Sequence, residues 1–311
     1  MQRTWDLLSR AGARTVIAVP YVWLLIFFAL PFVILLRISV TDMEGGVDPF
    51  LPLLDIQDGA WTFKAKLDNY VSIFLNLEHP THATIYIEAY WTSIRYAALT
   101  TLFCLLLGYP FAYFIARSSP RVRPALLMMV MLPFWTSFLL RVYAWKGLLA
   151  DGGIINRFLM FVGVTNEPIQ MLYTDVSMLV GMTYVYLPFM VLPLYANLVK
   201  MDVRLLEAAY DLGASPFKAF WLVTVPLSKS GIVAGSMLVF IPAVGEFVIP
   251  SLLGGAENLM IGRVVWDEMF TSNNWPRAAA LAVTLILLVL VPLAIYYYRL
   301  GRQLQLQGGR T

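Results

Sequence analysis

Six long stretches of this chain carry almost no charged residue, and they limit its possible folds more than any other feature. A helix rises 1.5 Å per residue, so crossing about 30 Å of hydrocarbon takes about 20 apolar residues. Only one stretch contains an acidic residue, Glu246, and we interpret it as a single span. The predicted fold class is therefore an all-α membrane protein, with residues 1–311 as a single transmembrane domain. The six predicted spans are residues 15–36, 96–116, 124–140, 176–199, 230–253 and 278–298.

Composition supports this class. Hydrophobic residues make up 59% of the chain and charged residues 13%, against roughly 45–50% and about 25% in soluble domains. A soluble enzyme or nucleic-acid-binding protein would lack the polar surface needed to cover its core, so both classes are excluded. The net charge of +3 is too small to indicate a polyanionic partner. Cys104 is the only cysteine, which excludes an intrachain disulfide and a thiolate metal cluster.

The distribution of basic residues predicts the orientation in the membrane. With the six spans in place, one side carries 13 Lys and Arg residues and the other carries nine. The long loop at residues 38–94 lies on the less basic side and contains eight acidic residues. Because cytoplasmic loops are enriched in Lys and Arg, we predict that both termini are cytoplasmic. The loop at 38–94 is then periplasmic, and the loop at 200–229 is cytoplasmic.

The first span has an alternative interpretation as a secretory signal peptide, because Arg3, Arg10 and Arg14 precede it. Its apolar run of 22 residues is longer than the about 7–15 residues of a signal-peptide core. No cleavage site of the small-x-small type follows it. We therefore predict an uncleaved first helix.

The motifs of common enzyme classes are absent from the sequence. No G-x-x-x-x-G-K-[ST] segment offers a phosphate cradle, so ATP hydrolysis is not expected on this chain. Neither a G-x-S-x-G nor an H-E-x-x-H segment occurs. The two histidines, His79 and His82, lie on either side of a proline and are interpreted as part of a solvated loop rather than as metal ligands. We predict no catalytic residue, no metal site and no cofactor.

The predicted cytoplasmic loop contains the most specific pattern in the chain. Apolar residues repeat with helical spacing in 203–210 and again in 217–221. Gly213 is suited to a left-handed helix stop, and Ser215 followed by Pro216 is suited to the start of a new helix. The loop is thus predicted to form two short helices around a tight turn. Such a pair either lies on the membrane surface or inserts into a groove of another protein.

The segment Glu207-Ala208-Ala209, followed by Gly213, resembles the EAA loop of permease subunits in ATP-binding-cassette importers. Against the family pattern E-A-A-x3-G-x9-I-x-L-P, the chain differs only at Val223 and Val225, which keep the apolar character. The resemblance implies the type I ABC importer permease fold. It also implies that Glu207, Ala208, Ala209 and Gly213 couple the permease to an ATPase. The alternative for Glu207 is a surface ion pair with Arg204.

Further segments resemble the larger inner-membrane permease of bacterial polyamine importers, over most of the chain. At Gly245-Glu246-Phe247 the resemblance is closer to the putrescine branch than to the spermidine branch. It implies a heterodimer with a second permease, two cytoplasmic ATPases, and a periplasmic binding protein that delivers the polyamine. It also implies a multi-pass location in the bacterial inner membrane, in contact with membrane lipid. The segments are 133–138, 141–145, 241–255, 261–263 and 274–276.

We accordingly predict the permease subunit of an ATP-driven importer of polyamines, putrescine or spermidine, that works by alternating access without covalent chemistry. The alternative within this class is an importer of another small solute, such as an amino acid or an iron chelate. The alternative outside it is an ion-coupled secondary carrier. That class typically shows broken-helix ion sites near the midplane, often in repeated halves, and the sequence indicates neither.

Five residues are candidates for the substrate pathway. A charge inside a span costs about 2.5–3.5 kcal/mol on insertion scales, so Glu246 is expected to have a partner. That partner is either a cationic substrate or a basic residue, such as Arg141, Arg263 or one on the second permease, unless the carboxyl is protonated and faces lipid. Aromatic rings also receive ammonium groups, for roughly 0.5–2 kcal/mol, although they also collect at the membrane interface. The aromatic candidates are Trp135, Tyr143, Tyr184 and Tyr186.

Overall fold

The computed structural model describes residues 16–43, 50–51, 53–57, 60–63, 65–75, 80–255 and 257–308. Arg3, Arg10, Arg14 and His79 lie outside the described residues, as does the side chain of His82. Within the described part, no group of three or more His, Cys, Asp or Glu side chains could hold a metal ion. The chain divides into two compact units, one formed by Met1–Thr84 with Val265–Thr311 and the other by Ile85–Val264.

The described residues are mostly helical. A short antiparallel hairpin is formed by β1 (Leu54–Gln57) and β2 (Ala60–Phe63). The helices are α1 (Val16–Ser39), α2 (Asp68–Phe74), α3 (Pro80–Arg117), α4 (Arg123–Met131), α5 (Phe138–Leu149), α6 (Ile154–Phe161), α7 (Asp175–Leu198), α8 (Arg204–Asp211), α9 (Pro216–Leu227), α10 (Lys229–Val244), α11 (Val248–Leu253), α12 (Ile261–Trp266) and α13 (Trp275–Gly308).

Four of the described helices are long and apolar enough to cross a membrane, namely α1, α3, α7 and α13. Two further spans are possible if each of two bent pairs is counted as one. One pair joins Arg123–Trp135 to Phe138–Phe161 at 88°, and the other joins α9 to α10 at 66°. The predicted class, an α-helical membrane protein with up to six spans, is confirmed. Where each span meets the membrane surface stays a prediction.

The third predicted span, 124–140, is not one straight helix. The helix α4 ends at Met131, a 3-10 turn covers Leu132–Trp135, and α5 starts at Phe138 after an extended Thr136. Pro133 near the start of the turn has no N–H group to continue the helical ladder. A stretch without charged residues indicates an apolar segment, but it does not show whether the helix in that segment is bent.

The fifth predicted span, 230–253, is also interrupted. The helix α10 ends at Val244, and α11 begins at Val248. Between them lies Glu246, whose side chain supplies hydrogen-bond acceptors for the start of α11. The single span predicted for residues 230–253 therefore contains two helices, because an apolar run of this length can hide a short break.

The first unit is built on α1 and α13, which pack against each other. The short helix α2 also packs against α13. Its Tyr70 hydroxyl lies 2.7 Å from the Ser39 hydroxyl, and Asn69 Nδ2 donates to the Thr41 carbonyl at 2.8 Å. These bonds fix the segment that leaves α1, at the start of the loop predicted for residues 38–94.

The second unit is organised around α7 and α10, which pack closely because glycines of α10 face α7. A Cβ atom at Gly231 would lie 2.8 Å from Asn197 Cβ and 3.1 Å from the Pro193 carbonyl oxygen. At Gly235 it would lie 2.7 Å from the Met190 sulfur. Two glycines four residues apart allow such backbone approach in membrane helices. The pair α7–α10 is therefore held by shape rather than by charge.

Replacing Gly231 by valine is expected to force α10 away from α7, because the new Cβ meets a backbone oxygen and the base of another side chain. Overpacking of this kind typically costs about 1–3 kcal/mol. Thermal unfolding of the purified protein in detergent measures the loss. Gly147→Val is the matched control, since a Cβ at that exposed helical glycine meets nothing within 4 Å. Equal losses in both variants would contradict the packing explanation.

Candidate functional site

The break between α10 and α11 is closed by one carboxyl group. Oxygen Oε1 of Glu246 accepts hydrogen bonds from the backbone N–H groups of Phe247, Val248 and Ile249, at 3.1, 3.0 and 3.4 Å. The first N–H groups of a helix have no partner within the helix and need an acceptor from elsewhere. Glu246 supplies this acceptor, so the chain can be interrupted inside an apolar region without leaving these groups unpaired.

The second oxygen of Glu246 faces α7. Tyr186 donates its hydroxyl to Oε2 at 2.6 Å. The tyrosine is buried, whereas Glu246 is half-buried and Gly245 beside it is exposed. Hydrogen bonds to an ionised group are the strong ones. Glu246 is thus held by hydrogen bonds on two sides and keeps part of its surface accessible.

A row of rings leads away from this carboxyl group. Phe189 lies one turn beyond Tyr186 on the same face of α7, with ring centroids 6.2 Å apart. Its ring meets that of Phe134 edge to face at 5.2 Å. The guanidinium carbon of Arg141 lies 5.0 Å from the Phe134 centroid. Glu246 and Arg141 therefore stand at opposite ends of a continuous series of ring contacts.

Gly262 at the start of α12 lies directly against the break. A Cβ atom there would lie 2.5 Å from the Gly245 carbonyl oxygen and 2.7 Å from that of Glu246. The start of α12 is itself fixed, because the Ile261 N–H donates to the buried Ser93 hydroxyl of α3 at 2.7 Å. Only glycine allows this approach, so α3 and α12 together determine where the break lies.

The structure brings together two of the five predicted pathway residues, Glu246 and Tyr186. Tyr184 points to another side of α7, because side chains two residues apart on a helix diverge. Its ring lies 5.5 Å from that of Trp145, and both line an apolar cavity of about 420 Å³. Trp135 and Tyr143 are exposed, with 70% and 54% of their surfaces accessible.

Sequence reasoning missed Phe134, Phe189 and Gly262. Phe189 follows Tyr186 at helical spacing and could have been found by that signal. Nothing in the sequence predicts that Gly262 meets the break. Arg141, considered as a partner of Glu246, lies on the Phe134 ring instead.

The predicted cytoplasmic loop has the expected local structure. The helix α8 ends at Asp211, Gly213 has a φ of +82°, and Ser215 Oγ accepts from the Lys218 N–H at 3.3 Å at the start of α9. Two short helices around a left-handed glycine are therefore confirmed. Around the turn, large apolar side chains are exposed. The most exposed are Leu212, Phe217 and Leu222, at 89%, 73% and 72%.

The four residues implied in coupling lie at this turn. Glu207, Ala208 and Gly213 are exposed and Ala209 is half-buried. Within the described residues, Arg204 and Glu207 form no ion pair; the Arg204 backbone N–H binds Asp202 Oδ1 instead. The alternative, a surface ion pair with Arg204, is therefore not seen, and the Glu207 side chain is exposed.

Aromatic contacts join this loop to α3. The Tyr109 hydroxyl lies 2.8 Å from the Ser228 hydroxyl, just before α10. The rings of Tyr109 and Tyr113 meet Phe220 of α9 edge to face, at 5.4 and 6.1 Å. The helix α10 runs from the end of this loop to the break at Glu246, so a single helix connects the loop to the break.

These features define a multi-pass membrane permease component. Residues 105–302 match the model of a protein family described as the binding-protein-dependent transport system inner membrane component. The chain belongs to this family. It is accordingly an inner-membrane transport subunit, as the resemblance implied.

Several curated relatives are similar over nearly the whole chain. The spermidine/putrescine transport system permease protein PotB of Haemophilus influenzae is 37% identical over 284 residues, covering 91% of this chain and 92% of the relative. PotB of Escherichia coli K12 is 38% identical over 275 residues, covering 88% and 93%. The inner membrane ABC transporter permease protein YdcU of the same strain is 34% identical, covering 67% and 70%.

Solved structures show the same fold at low identity. A chain of a bacterial ABC transporter involved in the import of the acidic polysaccharide alginate superposes with a TM-score of 0.66 and 17% identity, covering 97% of this chain and 99% of that one. A chain of the MetNI methionine ABC transporter gives a TM-score of 0.54 at 16% identity, covering 72% and 98%. The predicted type I permease fold is therefore confirmed.

Removing the Tyr186 hydroxyl should weaken the break. In Tyr186→Phe the ring contact with Phe189 remains, but Oε2 of Glu246 loses its donor. We expect a loss of about 1.5–3 kcal/mol, as for a hydrogen bond to a charged group, measured by thermal unfolding in detergent. Tyr184→Phe is the control on the other side of the same helix. A loss in Tyr184→Phe as large as that in Tyr186→Phe would contradict this assignment.

Proposed function

We propose that this chain is the permease subunit of an ATP-driven importer of polyamines such as putrescine and spermidine, and that it works by alternating access. The near full-length similarity to PotB proteins supports this substrate class. Membership in a binding-protein-dependent family argues against an ion-coupled secondary carrier. The alginate and methionine transporters share the fold at 16–17% identity, which does not favour either substrate.

The half-buried carboxyl group of Glu246 carries the proposal. A polyamine is an alkyl chain with ammonium groups, so it requires acidic oxygens for its charges and apolar or aromatic faces for its methylenes. Glu246 is half-buried, and the half-buried Phe189 lies one turn beyond the buried Tyr186 that binds it, so Phe189 offers the aromatic face. An ammonium over an aromatic face gains roughly 0.5–2 kcal/mol. Trp135, Tyr143 and Tyr184 lie away from Glu246. We propose them as pathway residues for the case in which the pathway runs between this chain and the second permease.

The proposed assembly contains a second permease, two cytoplasmic ATPases and a periplasmic binding protein. ATP hydrolysis then takes place on the separate ATPase subunits. The excess of Lys and Arg on one side supports cytoplasmic termini and a cytoplasmic loop at 200–229. Substrate would reach Glu246 from the periplasmic side.

The turn between α8 and α9 is the proposed contact with an ATPase. Its exposed apolar side chains, Leu212, Phe217 and Leu222, suit a groove on another protein better than water. Glu207, Ala208 and Ala209 would form the surface that enters the groove, and Gly213 would set the angle of the turn. Since α9 is followed directly by α10, a displacement of the turn would also move α10 and with it the break at Glu246.

Replacing Glu246 by glutamine tests the substrate contact. The Gln amide oxygen keeps an acceptor for the three N–H groups, and its NH₂ group can donate to Tyr186, so the break should hold while the charge is lost. We expect normal assembly, normal basal ATPase activity and strongly reduced uptake of labelled putrescine by the reconstituted complex. Competition with spermidine and amino acids in the same assay defines the substrate class.

Glu167→Gln is the matched control, because it removes a carboxylate from an exposed position. A Glu246→Gln complex that is poorly assembled or heat-labile would assign the residue to structure alone. A Glu246→Gln complex with parental putrescine uptake would overturn the link between this residue and a cationic substrate.

Replacing Gly213 by valine tests the coupling role. The position has open space around it but a φ of +82°, so the cost is backbone strain, about 1–2 kcal/mol for a side-chain-bearing residue. We expect membrane insertion to survive while uptake and substrate-stimulated ATPase activity fall. Gly163→Val is the matched control, since Gly163 has a φ of +77° and equally open surroundings in a different loop. Fully coupled activity in Gly213→Val, or equal loss in Gly163→Val, would contradict the assignment.

A further inference from the structure

Arg141 of α5 is buried without adequate partners. Only 9% of its surface is accessible, and its Nε and Nη1 atoms are buried with no hydrogen-bond partner among the described residues. The guanidinium carbon lies 5.0 Å from the ring centroid of Phe134 and 5.9 Å from that of Phe138. Stacking on two rings recovers only part of the cost of removing a guanidinium from water. Two of its three guanidinium nitrogens have no acceptor among the described residues.

The helices that pack against α5 identify Glu246 as the acid that could pair with Arg141. The helix α5 packs against α11, which starts directly after Glu246, and against α7, which carries Tyr186. The rings of Phe134, Phe189 and Tyr186 form a series of contacts between the two side chains, and they must move apart for Arg141 and Glu246 to pair. Nε and Nη1 of Arg141 are enclosed by this chain.

We propose that Arg141 is an internal cation that pairs with Glu246 after the substrate has left, and that substrate and Arg141 exchange on this carboxyl group during transport. The proposal rests on the proposed function, in which Glu246 receives the ammonium group of the substrate. Oε1 continues to accept the N–H groups at the start of α11. Oε2 changes its hydrogen-bond partner, from Tyr186 to the ammonium group of the substrate and then to the guanidinium group of Arg141. Arg141 is thus a positioning residue that acts through Glu246 and does not touch the substrate.

The exchange has a kinetic consequence. A competing cation lowers the apparent affinity for substrate and speeds its release from the carboxyl group. Removing that cation should therefore lower both KM and kcat, a combination that mere structural damage does not produce. Keeping the positive charge should keep the parental behaviour.

The experiment measures putrescine uptake by the reconstituted complex for the parental protein, Arg141→Gln, Arg141→Met and Arg141→Lys. We expect a severalfold fall in both KM and kcat for the Gln and Met variants and values near parental for the Lys variant. Arg141→Met also keeps the test valid if Gln is poorly accommodated, because replacing a buried charge by an apolar side chain of similar length is often neutral or stabilising. Arg157→Gln, on the next helix, is the control for loss of a positive charge.

The result that overturns the proposal is a Gln or Met variant with parental KM and kcat, or with a lowered kcat and an unchanged or raised KM. These outcomes are distinct from failure of the proposed function. If the parental complex takes up no putrescine, the proposed function fails and this inference fails with it; if Glu246→Gln transports normally, the link between Glu246 and the substrate fails, and this inference fails with that link. If those two tests succeed and the Arg141 variants behave like the parent, only this inference fails.

Discussion

The carboxyl group of Glu246 is the interaction on which the second unit depends. A helix interrupted in an apolar region exposes backbone N–H groups that water cannot reach, and each such group costs several kcal/mol if it stays unpaired. Three of these groups at the start of α11 bind one oxygen of Glu246, and Tyr186 binds the other. The same residue therefore holds the break together and, in the proposed function, presents a negative charge to the substrate. Structural and substrate-binding roles, which the sequence analysis treated as alternatives, are compatible in this geometry.

The break is surrounded by elements that limit its movement to few directions. Gly262 of α12 lies against its carbonyl oxygens, and the glycines of α10 hold that helix close to α7. A shift of α10 along its axis would therefore change the position of Glu246 relative to Tyr186. In the proposed function the turn at Gly213 is where an ATPase would start this shift. Tyr109, which meets both Phe220 and Ser228, is the fixed contact on α3 about which the loop would move.

Local patterns in the sequence predicted local structure well. Gly213 follows the end of α8 and Ser215 caps the start of α9, as their residue types indicate. The apolar stretches correspond to helices. The two interruptions were not predictable in this way. Pro133 is one of several prolines in apolar stretches, yet Pro110 lies inside an unbroken α3. Likewise, Tyr184 and Tyr186 look equivalent as candidates, and only the packing of α7 against α11 separates them. The role of Gly262 depends on its contact with Gly245 and Glu246 in the folded chain, and no pattern in a single sequence predicts such a contact.

The most direct measurement of the central claim is the distance between substrate and the carboxyl group of Glu246. In the assembled complex, with ¹³C in the glutamate carboxyl groups and ¹⁵N in putrescine, solid-state NMR detects a through-space ¹³C–¹⁵N contact at a site occupied by substrate. We predict a contact that is present in the parental complex, absent in the Glu246→Gln complex and unchanged in the Glu167→Gln complex. A contact of equal strength in the parental and Glu246→Gln complexes would place the ammonium group on a different acid and contradict the account.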